Sequence, residues 1–478
     1  MYFIINKNKN KKQKEFPMRK IIDFQPCFFF NLHKSSKIVS EYQKKYNAID
    51  TLLDEHPLIL KYIHSDLKRL GTENGRSSSV SSEQILRCII VMYIEQCPFR
   101  ETIIRISESD FLRNFTRIGI GKVMSFGYLC QAHKLISATT RARINTILQT
   151  SAIEEEKISG EKLRLDSTVC ESNIHYPTDP HLLWDCYRVS ARLVRQCTEA
   201  ENHWDCGNRF HDKKIKKLYV YVSTHYNKKN KSTQRKVRRF LSTLIERVEK
   251  QCAVVEHYID HAKATGSLSF LNSGSVLLEK LEKHLSLARQ VVTQSHRAHN
   301  LGEKVPASDR IFSVFEEHTE LHKRGKARKP QEFGHMVSIG QTKEKFISFY
   351  DVKSSSLHDT KIKDIALEAH KKHFRTYPDK FTADKNYHVS TEDTEKWNEF
   401  IEVYAVGKKG RKNQRENDYE HSKIFMAMQK FRAGVEGTIS VLKRAFGLRR
   451  CLYKGFKSFE AFVGCMVFCH NAVLLSRL

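Results

Sequence analysis

The stretch LRLDSTVC, residues 163–170, reads as an alternation of apolar and polar side chains. That is the period of a strand with one buried face. The segments around it read differently. Residues 83–97 (EQILRCIIVMYIEQC), 100–115 (RETIIRISESDFLRNF) and 137–156 carry apolar positions at three and four spacing, the pattern of amphipathic helices. Residues 185–299 are helical again and very basic, with KKIKKLYVYVSTHYNKKNKSTQRKVRRF at 213–240. Strand-like runs return at 310–315, 334–340 and 345–352, then a helix over 360–376 and a strand, DKFTAD, at 379–384. A long amphipathic helix spans about 418–446, and residues 458–478 close the chain. The expected class is α/β: a β-rich core interrupted by a helical block of over a hundred residues, with no internal repeat.

Outward from that core, a basic leader precedes a helical segment at residues 38–70, and GTENGRSSSVSS at 71–82 reads as a linker. Ser81 and Ser82 supply a capped start for the next helix. Pro98 breaks it, and two helices across a short break fit either a helix-turn-helix or a plain helical hairpin. The expected organisation is a leader and helical segment at 1–80, an all-α DNA-binding domain at 81–158, a core at 159–184 and 305–478, and a basic helical insertion at 185–304.

Composition narrows the function. Lys and Arg number 82 against 54 Asp and Glu, leaving a net charge of +28. Such a field concentrates polyanions, with nucleic acid foremost. The longest apolar stretches, 85–94 and 461–475, are short or interrupted by His470 and Asn471, below the roughly 20 apolar residues of a spanning helix. No membrane partner is expected. Residues 1–16 place the apolar start before the lysines, the reverse of a signal peptide, and Met18 is an alternative start. The 12 cysteines show no disulfide spacing, which suits a reducing cytoplasm. His203, Cys206 and His211, and likewise Cys465, Cys469 and His470, cluster without the second half of a zinc site.

Phosphodiester cleavage by two metals needs acids from separate elements converging on ions roughly 3.5–4 Å apart. Asp166 in the first core strand, Asp384 ending a later strand and Glu436 on the last long helix form such a set. The chain's 54 acids allow many other triples.

At these residues the chain resembles bacterial insertion-sequence transposases of the DDE group. LRLDSTVCESNIHYPTDPHLLWD (163–185) is similar to the segment around that family's first catalytic Asp, ADKNYH (383–388) to the second, and FRAGVEGTISVLKRAFGLRRCLYKG (431–455) to the third. Arg432, Glu436 and Lys443 reproduce the R–E–K part of a YREK-like signature, and offsets of four and seven put them on one helix face. The Tyr position is Gln429, a departure, with Phe431 nearby. Residues 83–115 resemble the family's N-terminal helical domain and 310–341 its middle strands.

The resemblance implies a ribonuclease-H-like mixed sheet flanked by helices, with the helical block inserted after the first strand. It implies a cytoplasmic, nucleoid-associated transposase cutting and joining DNA with two Mg²⁺ ions, for which Mn²⁺ can substitute. Asp166, Asp384 and Glu436 would be the metal-binding acids, and Arg432, Lys443 and Lys385 would contact phosphate. Terminal repeats would be recognised by the N-terminal helical domain and the basic insertion. The working form would be a homodimer on DNA, holding element ends and target, with no small-molecule cofactor. A nuclease or resolvase without strand transfer, and a repurposed DNA-binding protein, are the competing readings.

Softer signals remain. Asp179, between Pro177 and Pro180, reads as a capping residue, a supporting contact or a metal ligand. Asp185, Asp351 and Asp359 lie outside the motifs. His175 and Tyr176 suit packing or DNA contact, His335 a sheet-face position, and Trp184 and Trp204 core aromatics or stacking platforms. KRGKARK (323–329) and KKGRK (408–412) read as basic loops able to touch the DNA backbone.

Overall fold

The computed structural model describes residues 36–70, 80–200, 210–265, 274–326, 329–352 and 359–478. The chain forms two compact units: Met1–Cys170 with Met336–Leu478, and Glu171–His335. The leader at 1–35 and the linker at 71–79 lie outside the described residues.

Among the described residues, seven α-helices precede the first strand: α1 (Lys37–Glu55), α2 (Pro57–Leu67), α3 (Ser82–Ile94), α4 (Phe99–Glu108), α5 (Asp110–Phe115), α6 (Phe126–Leu135) and α7 (Ala138–Glu154). Ser81 starts α3 through a capping box in which its hydroxyl accepts from Gln84 N at 3.1 Å and its own N–H donates to the Gln84 side chain at 3.0 Å. The single helix expected over 100–115 is two helices. Ser109 leaves helical geometry (φ −111°, ψ 111°), and its hydroxyl accepts from Leu112 N to begin α5. Residues 38–70 likewise divide at His56, before Pro57.

Then follow β1 (Lys162–Ser172), α8 (Asp179–Ala200), α9 (Asp212–His225), α10 (Lys231–Thr265), α11 (Gly274–His299), β2 (Glu320–Lys326), β3 (Lys329–Thr342) and β4 (Ile347–Val352). The chain ends with α12 (Asp359–Phe374), β5 (Lys380–Ala383), α13 (Thr391–Asn398), β6 (Val403–Val406), α14 (Gln414–Glu420), α15 (Lys423–Ala445), β7 (Arg450–Cys451) and α16 (Phe456–Leu475). The seven strands make one sheet in the order β2-β3-β1-β5-β6, with β4 on β3 and β7 on β1. β1, β5 and β6 are parallel; β2, β3 and β4 pair antiparallel. This is the mixed, helix-flanked, ribonuclease-H-like sheet expected.

Several elements differ from the sequence reading. No strand forms over 310–315. There Ile311 N donates to the Gln294 side chain at 2.8 Å, and the Ser313 hydroxyl accepts from Phe315 N and Glu316 N, so side chains replace ladder partners. The strand is instead β2, so the basic run from Lys323 to Lys326 is strand rather than loop, and residues 327 and 328 lie outside the described residues. The helix read over 418–446 is α14 and α15, divided where the Ser422 hydroxyl accepts from Phe425 N. The four-residue β6 was missed because it is buried on both faces and shows no alternation.

In the first unit the sheet and the N-terminal helices share one apolar core, in which α16 packs against α7, α3, α1 and β4. α16 has 20 residues, a mean hydropathy of 1.5 over its most apolar window, and 83% of that window buried. Its length and composition match those of a membrane span, contrary to the reading that broke it at His470 and Asn471; its burial is that of a core helix. Asn471 does not end it, because its side chain accepts from Ile347 N at 3.1 Å and donates to Ile347 O at 2.9 Å.

Arg87 of α3 is 1% exposed and binds Glu83, Asp50 and Asp54; Arg117 meets the same two α1 acids. Removing one member of a buried ionic set leaves the others uncompensated, so Arg87→Ala should cost about 3 kcal/mol. Urea unfolding checks this, and a loss below about 1 kcal/mol, the scale of a surface pair, would contradict it.

Burial also lowers His370, in α12, to about 4, opposed by its hydrogen bond to Gly160 O at 3.1 Å, and lowers His470 to about 4. An unfolded histidine titrates near 6.5. Both therefore stay neutral when folded, and their stability contribution, complete above pH 6.5, is lost as pH falls toward 4. Urea midpoints at pH 7.5 and 5.0 should differ, and His370→Gln should narrow that difference; an unchanged difference would remove His370 from the account.

Candidate active site

Alternation along β1 sorts its side chains between two layers. Leu163 and Leu165 enter the apolar cluster shared with α12, and Ser167 bonds to Ser338 at 3.0 Å and Tyr387 at 2.5 Å. Arg164 turns to the other face, toward α15, and Asp166 follows two residues later on that face. β1 and β5 are in parallel register with Leu165 opposite Ala383. Asp166 and Asp384 each come directly after that pair, on neighbouring strands roughly 4.8 Å apart. Carboxyl ends of strands are where open α/β sheets bind ligands.

Each acid is half-buried and locally oriented. Asp166 Oδ1 accepts from Ser167 N at 2.7 Å. Asp384 starts a single 3₁₀ turn, Lys385–Tyr387, accepting from Lys385 N at 2.8 Å and from the Asn386 amide at 3.0 Å. Lys385 is exposed beside it.

α15 packs on β5 and β6 and is pinned to the sheet by polar contacts. Arg164 donates to Phe431 O at 2.7 Å and to the Gln341 oxygen of β3 at 2.8 Å; Gln341 in turn donates to Thr438 of α15 at 2.8 Å. The Arg164 guanidinium lies 4.6 Å from the Phe431 ring centroid, and burial lowers it to about 10. Gln429, at the signature's Tyr position, reaches Thr382 and Ala405 O. It also accepts from Arg432 Nε at 3.1 Å, and Arg432 stands 3.6 Å from Glu436. Lys443, one turn pair farther on and half-buried, opposes the burial that pushes the Cys170 thiol well up. Its neighbourhood to Cys170 places the end of α15 farther along β1 than Asp166.

The structure thus brings Asp166, in the middle of β1, beside Asp384, which follows the end of β5, and sets Glu436 on the helix packed over that sheet face. Glu436 is 63% exposed and paired with Arg432. Among the described residues, no three or more His, Cys, Asp or Glu side chains converge closely enough to hold a metal ion. The donors at the site are hard carboxylate oxygens, the chemistry that Mg²⁺ and similar ions take. Arg164 is the residue the sequence reading missed; its signal was a cation between two leucines of the first core strand, two residues before an acid.

The other candidates have structural roles. Asp179 is buried, meeting His299 at 2.7 Å, Gln294 at 3.1 Å and Arg310 at 3.6 Å. Burial alone would raise its carboxyl, but the His299 hydrogen bond and these charges hold it below the usual value. It ties α8 to α11. Trp184 stacks on Tyr187 and Tyr219, and His335 is fully buried against His318. Tyr176 is exposed and bonds to Gln331, His175 stacks near His181, and Asp185 pairs with Arg188. Asp351 lies in β4 beside Glu460, away from the two strand-end acids. His203, Trp204, Cys206 and the Asp359 side chain lie outside the described residues.

A Cβ at Gly434 would stand 2.0 Å from Arg164 Nη1. Gly434→Ala must therefore break the Arg164 bond to Phe431 O, lift α15, or both. Overpacking of this kind costs about 1–3 kcal/mol. Thermal unfolding should show that loss; a variant as stable as the parent would mean that α15 is not held as described.

No curated protein and no solved structure matches the chain. A family model described as the transposase DDE domain matches residues 307–472, a span containing Asp384, Arg432, Glu436 and Lys443. Asp166 lies before that span, yet β1 pairs with β5 inside it. Over residues 307–472 the chain is similar to the DDE domain of transposases.

Proposed function

We propose that the chain cuts DNA at the ends of a mobile element and joins the freed 3′-hydroxyl to target DNA. The observation that carries this reading is the placement of Asp166 and Asp384 directly after a registered pair on parallel strands. Asp166, Asp384 and Glu436 would hold Mg²⁺, which when bound supplies Lewis acidity to the phosphodiester and lowers the pKa of the attacking hydroxyl. Backbone N–H groups of Ser167 and Lys385 fix the two aspartates, so neither carboxylate must reorganise as charge develops. Arg432, braced by Gln429, restrains Glu436 and presents its guanidinium toward a phosphate. Lys385 and Lys443 add cations at either end of the site. Because two element ends must be joined, a dimer on DNA bearing terminal repeats is the natural working form.

The test is an in vitro assay on a duplex carrying the element's own ends, with Mg²⁺ present or chelated. Wild-type protein should give both nicked and joined products only with the metal. Asp166→Asn and Asp384→Asn should reduce both to background while leaving DNA binding in chelator unchanged. Nicking without joining would replace strand transfer by simple hydrolysis. A Glu436→Gln variant that works at the parental rate would remove Glu436 from the site.

A further inference from the structure

Charge is distributed unevenly within the second unit. Later in α10 and in α11, several exposed cations are matched by acids: Lys263 with Glu282, Arg289 with Glu256, Lys283 with Glu317. Residues 213–240 are different. They contain eight lysines and three arginines, and no aspartate or glutamate. All eleven of these cations are exposed, and among the described residues none is paired with a carboxylate.

The fold organises these charges. α9 and α10 pack against each other as a hairpin. Along α9, Lys213, Lys216, Lys217, Val220 and Thr224 follow one helical face and line a surface groove of about 580 Å³. Along α10, Lys231, Arg235, Arg238 and Arg239 recur at the same helical spacing. Beneath them, Lys236 rests over the rings of Tyr221 and Phe240, and Tyr221 packs on His225 and Phe240. The aromatic layer stiffens the hairpin, so the two tracks of charge are set by packed helices rather than by free loops. Concentrating like charge on a rigid surface is unfavourable in isolation, and among the described residues no carboxylate pairs with this one. Its complement is an extended polyanion.

We propose that the α9–α10 hairpin is a backbone-binding surface for double-stranded DNA, gripping phosphates without reading bases. The preference for DNA over other polyanions rests on the transposase reading; the need for an anionic partner does not. Eight of the eleven cations are lysines, point charges that suit phosphate, and three are arginines. The insertion would thus hold duplex by charge, in place of the terminal-repeat recognition that its basic sequence first suggested.

The experiment measures affinity of the full chain for duplexes of unrelated sequence, in chelator, across a salt series. Each phosphate neutralised contributes about 0.9 to the slope of log K against log salt. A fivefold variant, Lys216→Gln, Lys217→Gln, Arg235→Gln, Arg238→Gln and Arg239→Gln, should lower that slope by roughly 2–4 and weaken all duplexes alike. Circular dichroism and melting serve as the fold check, since all five side chains are exposed. If the melt falls, Lys→Arg exchanges at Lys216 and Lys217, which keep the charge, must restore binding.

An unchanged slope, loss confined to one DNA sequence, or tighter binding to vesicles of anionic phospholipid than to duplex would each overturn the proposal. A parent protein that binds in this way but never cuts would sink the transposition reading and leave the hairpin surface standing.

Discussion

A buried guanidinium, that of Arg164, joins three elements of the first unit. It donates to a main-chain oxygen of α15 and to Gln341 of β3 while itself belonging to β1. Burying a cation is costly unless its donors are satisfied. Here the acceptors are neutral: a carbonyl, an amide oxygen and the face of Phe431. A carboxylate in that position would cancel the charge. The neutral set leaves it uncompensated about 7 Å along the strand from Asp166. One side chain thus ties α15, the helix that carries Glu436, to β1 and β3.

What the sequence disclosed followed from how local each signal was. Alternation in β1 and helical periodicity in α3, α7 and α15 are properties of contiguous residues, and they marked the right elements. Hydroxyl caps at Ser109 and Ser422 divided helices that periodicity had run together, because a cap interrupts backbone geometry without interrupting the apolar stripe. Residues 310–315 look like a strand, but Gln294 and Ser313 satisfy their backbone groups locally. β6 is too short and too uniformly buried to show any period. At the site, Asp166 and Asp384 were legible from motif and strand position. Their adjacency was not, since it depends on a register between distant strands. Arg164 escaped notice because its partners come from β3 and α15, neither close in sequence.

The second unit uses its charged residues in two opposite ways. At Asp179, a carboxylate is surrounded by His299, Gln294 and Arg310, so that an anion buried in the protein knits α8 to α11. On the α9–α10 hairpin, cations are left at the surface, unpaired with any carboxylate among the described residues. The first arrangement fixes structure; the second holds charge ready for another molecule.

The registry of Leu165 with Ala383 has a consequence for the order of events during synthesis. β1 leaves the ribosome early, but its partner emerges only after the whole of the second unit and β2 to β4 have been made. At about 5–20 residues per second, that interval is on the order of ten seconds or more. Through that time the nascent chain already carries its cationic hairpin, while the strand bearing Asp166 still lacks its neighbour. The cationic hairpin therefore exists before the two acids meet, and they first stand side by side only once β5 has been made.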